Sequence, residues 1–306
     1  MIYALVDVGS NTMRMNIYKC EEHSIKLLFG TKNPAGLAGY VDNGSMSQKG
    51  IKKAISVLME FKSIVDNFDI DELYVFATAS LRNIDNSLDA VDQIQNKTGL
   101  DIDVISGEDE AILDFIGATK IIDVTDGLIV DIGGGSTELV TFENKKIINA
   151  ISIPIGSLNL YKKCVSHLLP DKKEKKLIRD IIKSELEGIE EIINKPYKII
   201  CGVGGTVRAT SKLNNSIYDL PDNNSEIDIK NIKKILKILS KDCRDSLDTI
   251  LQVVPDRIHT IIPGMMILSE VSKVFKSDQI VVSSYGVREG YLYDKILKEK
   301  ALYGKP

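Results

Sequence analysis

Asp7 and Asp131 each end an apolar run and lead into a loop of small residues: Gly9-Ser10-Asn11-Thr12 after the first, Gly133-Gly134-Gly135-Ser136-Thr137 after the second. Glycines let a ligand approach the backbone closely and permit positive φ. Successive N–H groups in such a loop form a concave anion seat. An aspartate at the loop entrance suits the divalent cation that a phosphate chain brings with it. A third loop, Gly202-Val203-Gly204-Gly205-Thr206, opens a helical stretch, and a helix N-terminus favours anions. Arg82 stands just past a short buried strand, where ligands gather in open α/β sheets, and its planar fork matches a phosphate. Glu108, Asp109 and Glu110 place three carboxylates at the start of a helix. One of them could act as general base, although acids there also simply complement the helix dipole. Residue type and spacing do not choose among the three.

The elements that must position these residues repeat. Residues 4–18 and 128–142 align without a gap, with Asp7 on Asp131, Gly9 on Gly133, Thr12 on Ser136, Met15 on Leu139 and Tyr18 on Phe142. Each copy reads as strand, tight loop, strand, so two duplicated domains facing each other over a central cleft are expected. A cation between the two aspartates would complete the site. The first domain is expected over 1–124, completed by a C-terminal helix at 288–306, and the second over 125–287. Strands are expected at 2–8, 13–19, 25–29, 73–77 and 102–105, then at 128–132, 139–142, 147–153, 197–201 and 280–284. Helices are expected after Ser47, at 85–97, after Gly107, at 171–193, after Gly205, at 229–240, 247–253 and 262–275. Residues 32–46 and 214–228 read as loops.

The 306 residues suffice for two cores, and 43% hydrophobic with 27% charged residues is a globular composition. A net charge of −4 argues against broad capture of DNA or RNA, leaving a local cationic cluster as the way to hold a polyanion. Lys172, Lys173, Lys175 and Lys176 read as a solvated helix face or as an extension of a polyanion track. Four scattered cysteines without CxxC spacing suggest buried reduced thiols, and three scattered histidines suggest no histidine metal site. The N-terminal stretch has no signal-peptide pattern and no apolar run approaches a membrane span, so a cytoplasmic protein without membrane contact is expected.

Taken together, Asp7 to Thr12, Ala77 to Arg82, Ile105 to Ala111, Asp131 to Leu139, Gly202 to Ala209, Arg257 with Pro263-Gly264, and Gly286 to Gly290 resemble the signatures of the exopolyphosphatase/guanosine pentaphosphatase (Ppx/GppA) family. The resemblance implies an α/β protein of duplicated ribonuclease H-like domains, as in actin, hexokinase and acetate kinase. It implies Glu110 as the catalytic base, with Glu138 positioning the water or the metal. It also implies Asp7 and Asp131 as ligands of Mg²⁺, with K⁺ as a candidate activator. Gly9, Ser10, Asn11, Thr12, Arg82, Gly133, Gly134, Gly135, Ser136, Thr137, Gly204, Gly205 and Thr206 would bind phosphate. The substrate would be inorganic polyphosphate, or guanosine pentaphosphate in the branch tied to the stringent response, and the assembly a homodimer. A kinase or chaperone-type ATPase, or a non-catalytic sensor, would share the fold. Two departures stand out: Lys32 to Ala38 replaces an Arg-Leu-Gly stretch, and Asn159 lies where relatives carry an arginine. Two cationic groups are thus missing from the phosphate path, and the chain ends at Pro306 without the helical domains of longer members, so a preference for short chains or a less processive enzyme is expected.

Overall fold

The computed structural model describes residues 1–21, 24–190, 195–240 and 243–298. The chain divides into two compact units, one of Met1–Gly107 and one from Glu108 onward.

In the first unit, β1 (Ile2–Val8), β2 (Met13–Glu21) and β3 (Ser24–Asn33) form an antiparallel meander. A short hairpin follows, β4 (Val41–Asp42) with β5 (Ser45–Met46), inside the stretch expected to be loop. The strands β6 (Glu72–Ala77) and β7 (Ile102–Val104) then add parallel to β1, giving the order β3-β2-β1-β6-β7. Alternation along β2 buries Met13, Met15 and Ile17, as a half-buried strand should. Met13 and Met15 join Val6, Val8, Ile51, Leu58 and Phe61 in one core. The last three lie on the helix Gln48–Val65, whose Ser47 cap accepts a hydrogen bond from the Gly50 N–H.

The second unit repeats the plan. β8 (Gly127–Ile132), β9 (Thr137–Glu143) and β10 (Lys146–Ile153) form the meander. β11 (Ile199–Val203) runs parallel to β8, and a further strand, Gln279–Val282, runs parallel to β11. A three-residue edge strand, β12 (Glu226–Asp228), pairs antiparallel with that last strand, β13, and lengthens the sheet to β10-β9-β8-β11-β13-β12. A meander of three strands with two parallel strands added at its β1 side is the ribonuclease H-like topology, and here it occurs twice. The registers coincide as well: Asp7 lies opposite Arg14 and Asp131 opposite Glu138. Equivalent backbone positions therefore carry a cation in one unit and a carboxylate in the other.

The compact division falls after Gly107 and not at the expected boundary after residue 124. The helix Gly107–Ala118 lays Ala111, Phe115 and Ala118 on Ile129, Val140, Phe142, Cys201 and Val203 of the second sheet. Gly290 passes so close to the Leu113 carbonyl that an added Cβ would lie 1.9 Å from it. The helical segment Val287–Leu297 thus packs with the second unit. Residues 299–306 of the expected terminal helix lie outside the described residues, as do 191–194 of the helix expected at 171–193, which is seen as Lys172–Glu190.

Cys20, Cys164 and Cys201 are buried and unbridged, and burial pushes the Cys20 thiol up to about 11 and that of Cys201 to about 12. Among the described residues, no helix is long and apolar enough to cross a membrane.

Candidate active site

Both glycine loops are built by the same device. In the second unit, the start of the helix Ser157–Cys164 takes up the loop's carbonyls. Ser157 donates to Gly133 O through its N–H (2.9 Å) and its hydroxyl (3.0 Å), and the N–H groups of Leu158 and Asn159 both reach Gly134 O at 3.0 Å. The Asn159 side chain donates to Gly135 O at 3.0 Å and accepts from the Gly156 N–H at 2.8 Å. Gly156 is in contact with the loop, and a Cβ there would lie 2.4 Å from the Gly134 carbonyl. In a trans peptide the N–H points opposite to the carbonyl, and no cis bond is present among the described residues. With the carbonyls of Gly133, Gly134 and Gly135 turned to this helix, the N–H groups of Gly134, Gly135 and Ser136 point away from it as one set of donors.

The first unit does likewise with the chain that follows β3. Ala38 N–H donates to Ser10 O and Gly36 N–H to Asn11 O, both at 2.9 Å, so the Asn11 and Thr12 amides face the other way. Gly36 has φ 60°, a conformation that glycine adopts without penalty. Gly36 and Ala38, within Lys32 to Ala38, and Asn159 thus brace the two loops.

A further pair of equivalent bonds fastens each loop to the neighbouring strand. Ser80 Oγ donates to Val8 O in the first unit, and Thr206 Oγ1 donates to Ile132 O at 2.7 Å in the second. Val8 and Ile132 are the residues just after the two aspartates. Arg82 donates from Nη1 to Ile105 O and from Nε to Asn83 Oδ1, each at 3.2 Å, spanning the carboxyl ends of β6 and β7. The Thr137 hydroxyl is buried and donates to Ile155 O at 2.6 Å.

The carboxylates gather in the second unit. Of the three acids at the start of the helix Gly107–Ala118, Glu108 and Asp109 are exposed and Glu110 is buried. Glu138 is buried too and accepts a hydrogen bond from Ser152 Oγ at 2.8 Å. One turn beyond Glu110, Asp114 is 0% exposed, and neither of its oxygens has a well-formed hydrogen bond. Burial holds its carboxyl well above the usual range, and the charges of Asp131, Glu110 and Glu138 push it the same way, against a weak opposing pull from the Val287 N–H. Asp114 is therefore a buried acid inside a carboxylate cluster, with its ionisation opposed by burial and by its neighbours' charges. In the sequence it is a lone acid in an apolar helical stretch, and its only signal is the four-residue spacing from Glu110 that puts both on one face.

Arginines stand beside Asp131. Its carboxylate presses on Gly204 (φ 78°), where a Cβ would lie 1.9 Å from Oδ1. Arg257 presses on Gly205 in the same way, its Nη2 being 2.0 Å from where a Cβ would sit. Arg208 donates to Ser283 O at 3.4 Å. Burial lowers the Arg208 guanidinium from its usual range, with Arg288 and Arg257 adding to the effect and Asp131 and Glu289 opposing it. The two central glycines of the third loop are thus cut to fit a carboxylate and a guanidinium.

Acidic, basic and N–H groups in this arrangement suit phosphoryl chemistry, and the comparisons agree. The profile of the Ppx/GppA phosphatase family matches residues 16–299. The chain belongs to this family. As a Ppx/GppA protein it is an enzyme, a hydrolase. Exopolyphosphatase 1 of Mycobacterium tuberculosis is 23% identical over 307 residues, covering 98% of this chain and 89% of that relative. The bifunctional 3-dehydroquinate synthase/phosphatase of Fusobacterium nucleatum is 27% identical over 305 residues, covering 92% of this chain and 44% of that protein. The crystal structure of the Ppx/GppA member from Aquifex aeolicus matches with a TM-score of 0.78 at 26% identity, over 98% of both chains. That of an exopolyphosphatase from Cytophaga hutchinsonii matches in fold with a TM-score of 0.86 at 22% identity, over 100% of this chain and 99% of its own.

A pH test isolates Asp114. An acid whose carboxyl is raised on folding binds more protons folded than unfolded. Its contribution to stability is complete below the unfolded value near ~4 and is lost as pH rises through the folded one. Asp114→Asn, isosteric and always neutral, should gain steadily on the wild type in urea midpoint as pH rises above the ordinary carboxylate range, measured without added divalent cation. A gap that stays constant with pH would mean that Asp114 titrates as an ordinary carboxylate.

Proposed function

We propose that this enzyme hydrolyses the terminal phosphoanhydride of inorganic polyphosphate, releasing orthophosphate. The observation that carries this reading is the pairing, in the second unit, of a glycine loop whose amides point outward together with a buried group of carboxylates containing Glu110. In this assignment the N–H groups of residues 134–136, and those of Asn11 and Thr12 in the first unit, take the phosphate oxygens. Gly9, Ser10, Ser136, Gly204, Gly205 and Thr206 keep these loops in shape, and Arg82, Arg208 and Arg257 offset negative charge. Glu110 takes the proton of the attacking water and Glu138 orients that water. Such chemistry depends on positioning and on charge neutralisation.

Asp7 and Asp131 are the carboxylates assigned to the metal. An all-oxygen donor set fits a hard cation. Among the described residues no group of three His, Cys, Asp or Glu side chains forms a ready ligand set. That suits Mg²⁺, which is usually held by one or two carboxylates with water and substrate phosphate completing its shell. When bound, the cation neutralises phosphate charge. A homodimer and a cytoplasmic location belong to the same proposal, on family resemblance.

The test is phosphate release from tripolyphosphate, long-chain polyphosphate and guanosine pentaphosphate, compared side by side with Mg²⁺, with and without K⁺. Release from polyphosphate is expected, with tripolyphosphate turned over faster because, on family resemblance, two cationic contacts to a longer chain are missing. Release from guanosine pentaphosphate alone would replace this reading with the nucleotide phosphatase, and release from none would remove it.

A further inference from the structure

The second unit carries a cationic groove for which the hydrolytic site has no use. Two adjoining cavities of about 330 Å³ and 300 Å³ lie among the helices Lys172–Glu190, Ile229–Ile238 and Ile261–Val274, and they share Glu270 and Lys273 as lining residues. Lys175 and Arg179 line the first cavity and Lys183 the second. Spaced four apart, the three form a stripe along one helix face, spanning about 12 Å by helical rise. Lys233 and Lys237, also four apart, line the first cavity from the facing helix.

Like charges four residues apart on a helix oppose helix formation. Here two such rows converge, in a chain whose net charge is −4. Glu270 is buried in the floor, with Lys273 Nζ at 2.6 Å and Arg179 Nε at 3.3 Å. Glu270 therefore anchors two cations at the floor, and Glu187 lines the second cavity beside Lys183, so that two carboxylates face six lining cations, Lys175, Arg179, Lys183, Lys233, Lys237 and Lys273. Of the lysine run at 172–176, only Lys175 lines this groove, and it donates to Ser240 Oγ at 2.9 Å.

The helix Ile261–Val274, buried along almost its whole length, runs from behind the glycine loop of the second unit to this groove. At its start Gly264 packs on Thr206 and Ser157. Lys273 lies nine residues further along, a rise of about 14 Å. We infer that the groove is a docking site for the distal phosphates of a long polyphosphate chain whose end is being hydrolysed. This rests on the polyphosphate reading above. A chain of three phosphates is too short to reach both places, so the groove acts only on long ones.

The test is the double variant Lys233→Glu/Lys237→Glu, whose side chains take part in no hydrogen bond or ion pair assigned to the hydrolytic site. The KM for long-chain polyphosphate should rise about tenfold, which is what removing and reversing two screened phosphate contacts is worth. The KM for tripolyphosphate should stay as in the wild type, which also reports intact folding. Added salt should raise the wild-type KM for long chains more steeply than that of the variant. An unchanged long-chain KM, or an equal rise for both substrates, would overturn the inference. If the wild type turned over no polyphosphate, the substrate reading would fail by itself. The groove would then be judged by direct binding of long-chain polyphosphate: equal affinity of variant and wild type would overturn it, and weaker binding by the variant would support it.

Discussion

Glu110→Gln should lower kcat by about a thousandfold, within the range for removal of a general base. In barrier height this is about 4 kcal/mol. The fold should not suffer, because Glu110 is one of the carboxylates whose charge bears on the buried Asp114. Removing that charge relieves repulsion, so the urea midpoint should hold or rise while turnover collapses. Glu108→Gln and Asp109→Asn provide the contrast. Both side chains are exposed at the same helix start, and kcat should stay within about twofold of wild type. Steady-state kinetics and unfolding on the three variants settle the matter. If Glu110→Gln were well folded and active, the base would be another residue.

Gly204→Ala should harm both fold and turnover. Its φ of 78° puts any L side chain in the left-handed region, at about 1–2 kcal/mol. The added methyl would also lie 1.9 Å from Asp131 Oδ1, so the carboxylate or the loop must move. A displacement of about 1 Å in a positioned group can reduce turnover about a hundredfold. Because Asp131 is the carboxylate assigned to the cation, the Mg²⁺ concentration for half-activation should rise too. Gly188→Ala is the control. Gly188 is exposed within the helix Lys172–Glu190 and a Cβ there meets nothing within 4 Å. Alanine should stabilise that helix by up to about 1 kcal/mol and leave kinetics alone. Should Gly204→Ala keep wild-type turnover and metal response, Asp131 would not be the residue that positions the metal.

The duplicated fold is readable because strand, loop and strand repeat without a gap, and the paired registers Asp7–Arg14 and Asp131–Glu138 follow directly from that alignment. Short elements are harder to see. The helix Ser157–Cys164 follows closely on β10, and Pro154 with Gly156 reads as a break although Gly156 caps that helix. The strand β12 has three residues at a sheet edge and lies in a polar stretch without periodicity. The helix Gly204–Ile217 runs further than expected because Leu213 and Asn214 are buried, a tertiary effect that polar composition hides. At the candidate site, strand-end acids and glycine loops announce themselves. Asp114 does not, because what distinguishes it is burial among other carboxylates. Arg208, Arg257 and Arg288 come together near Asp131 from three separate segments, and no local pattern encodes that meeting.

The bracing of the glycine loops bears on how the enzyme should respond to acidity. An amide N–H neither gains nor loses a proton across the working range, so a phosphate held by these loops would meet the same donors at either end of it. The carboxylates have no such indifference. Substrate affinity and turnover would then part company in a pH profile, with a flat limb belonging to the peptide groups and a sloping one to the acids.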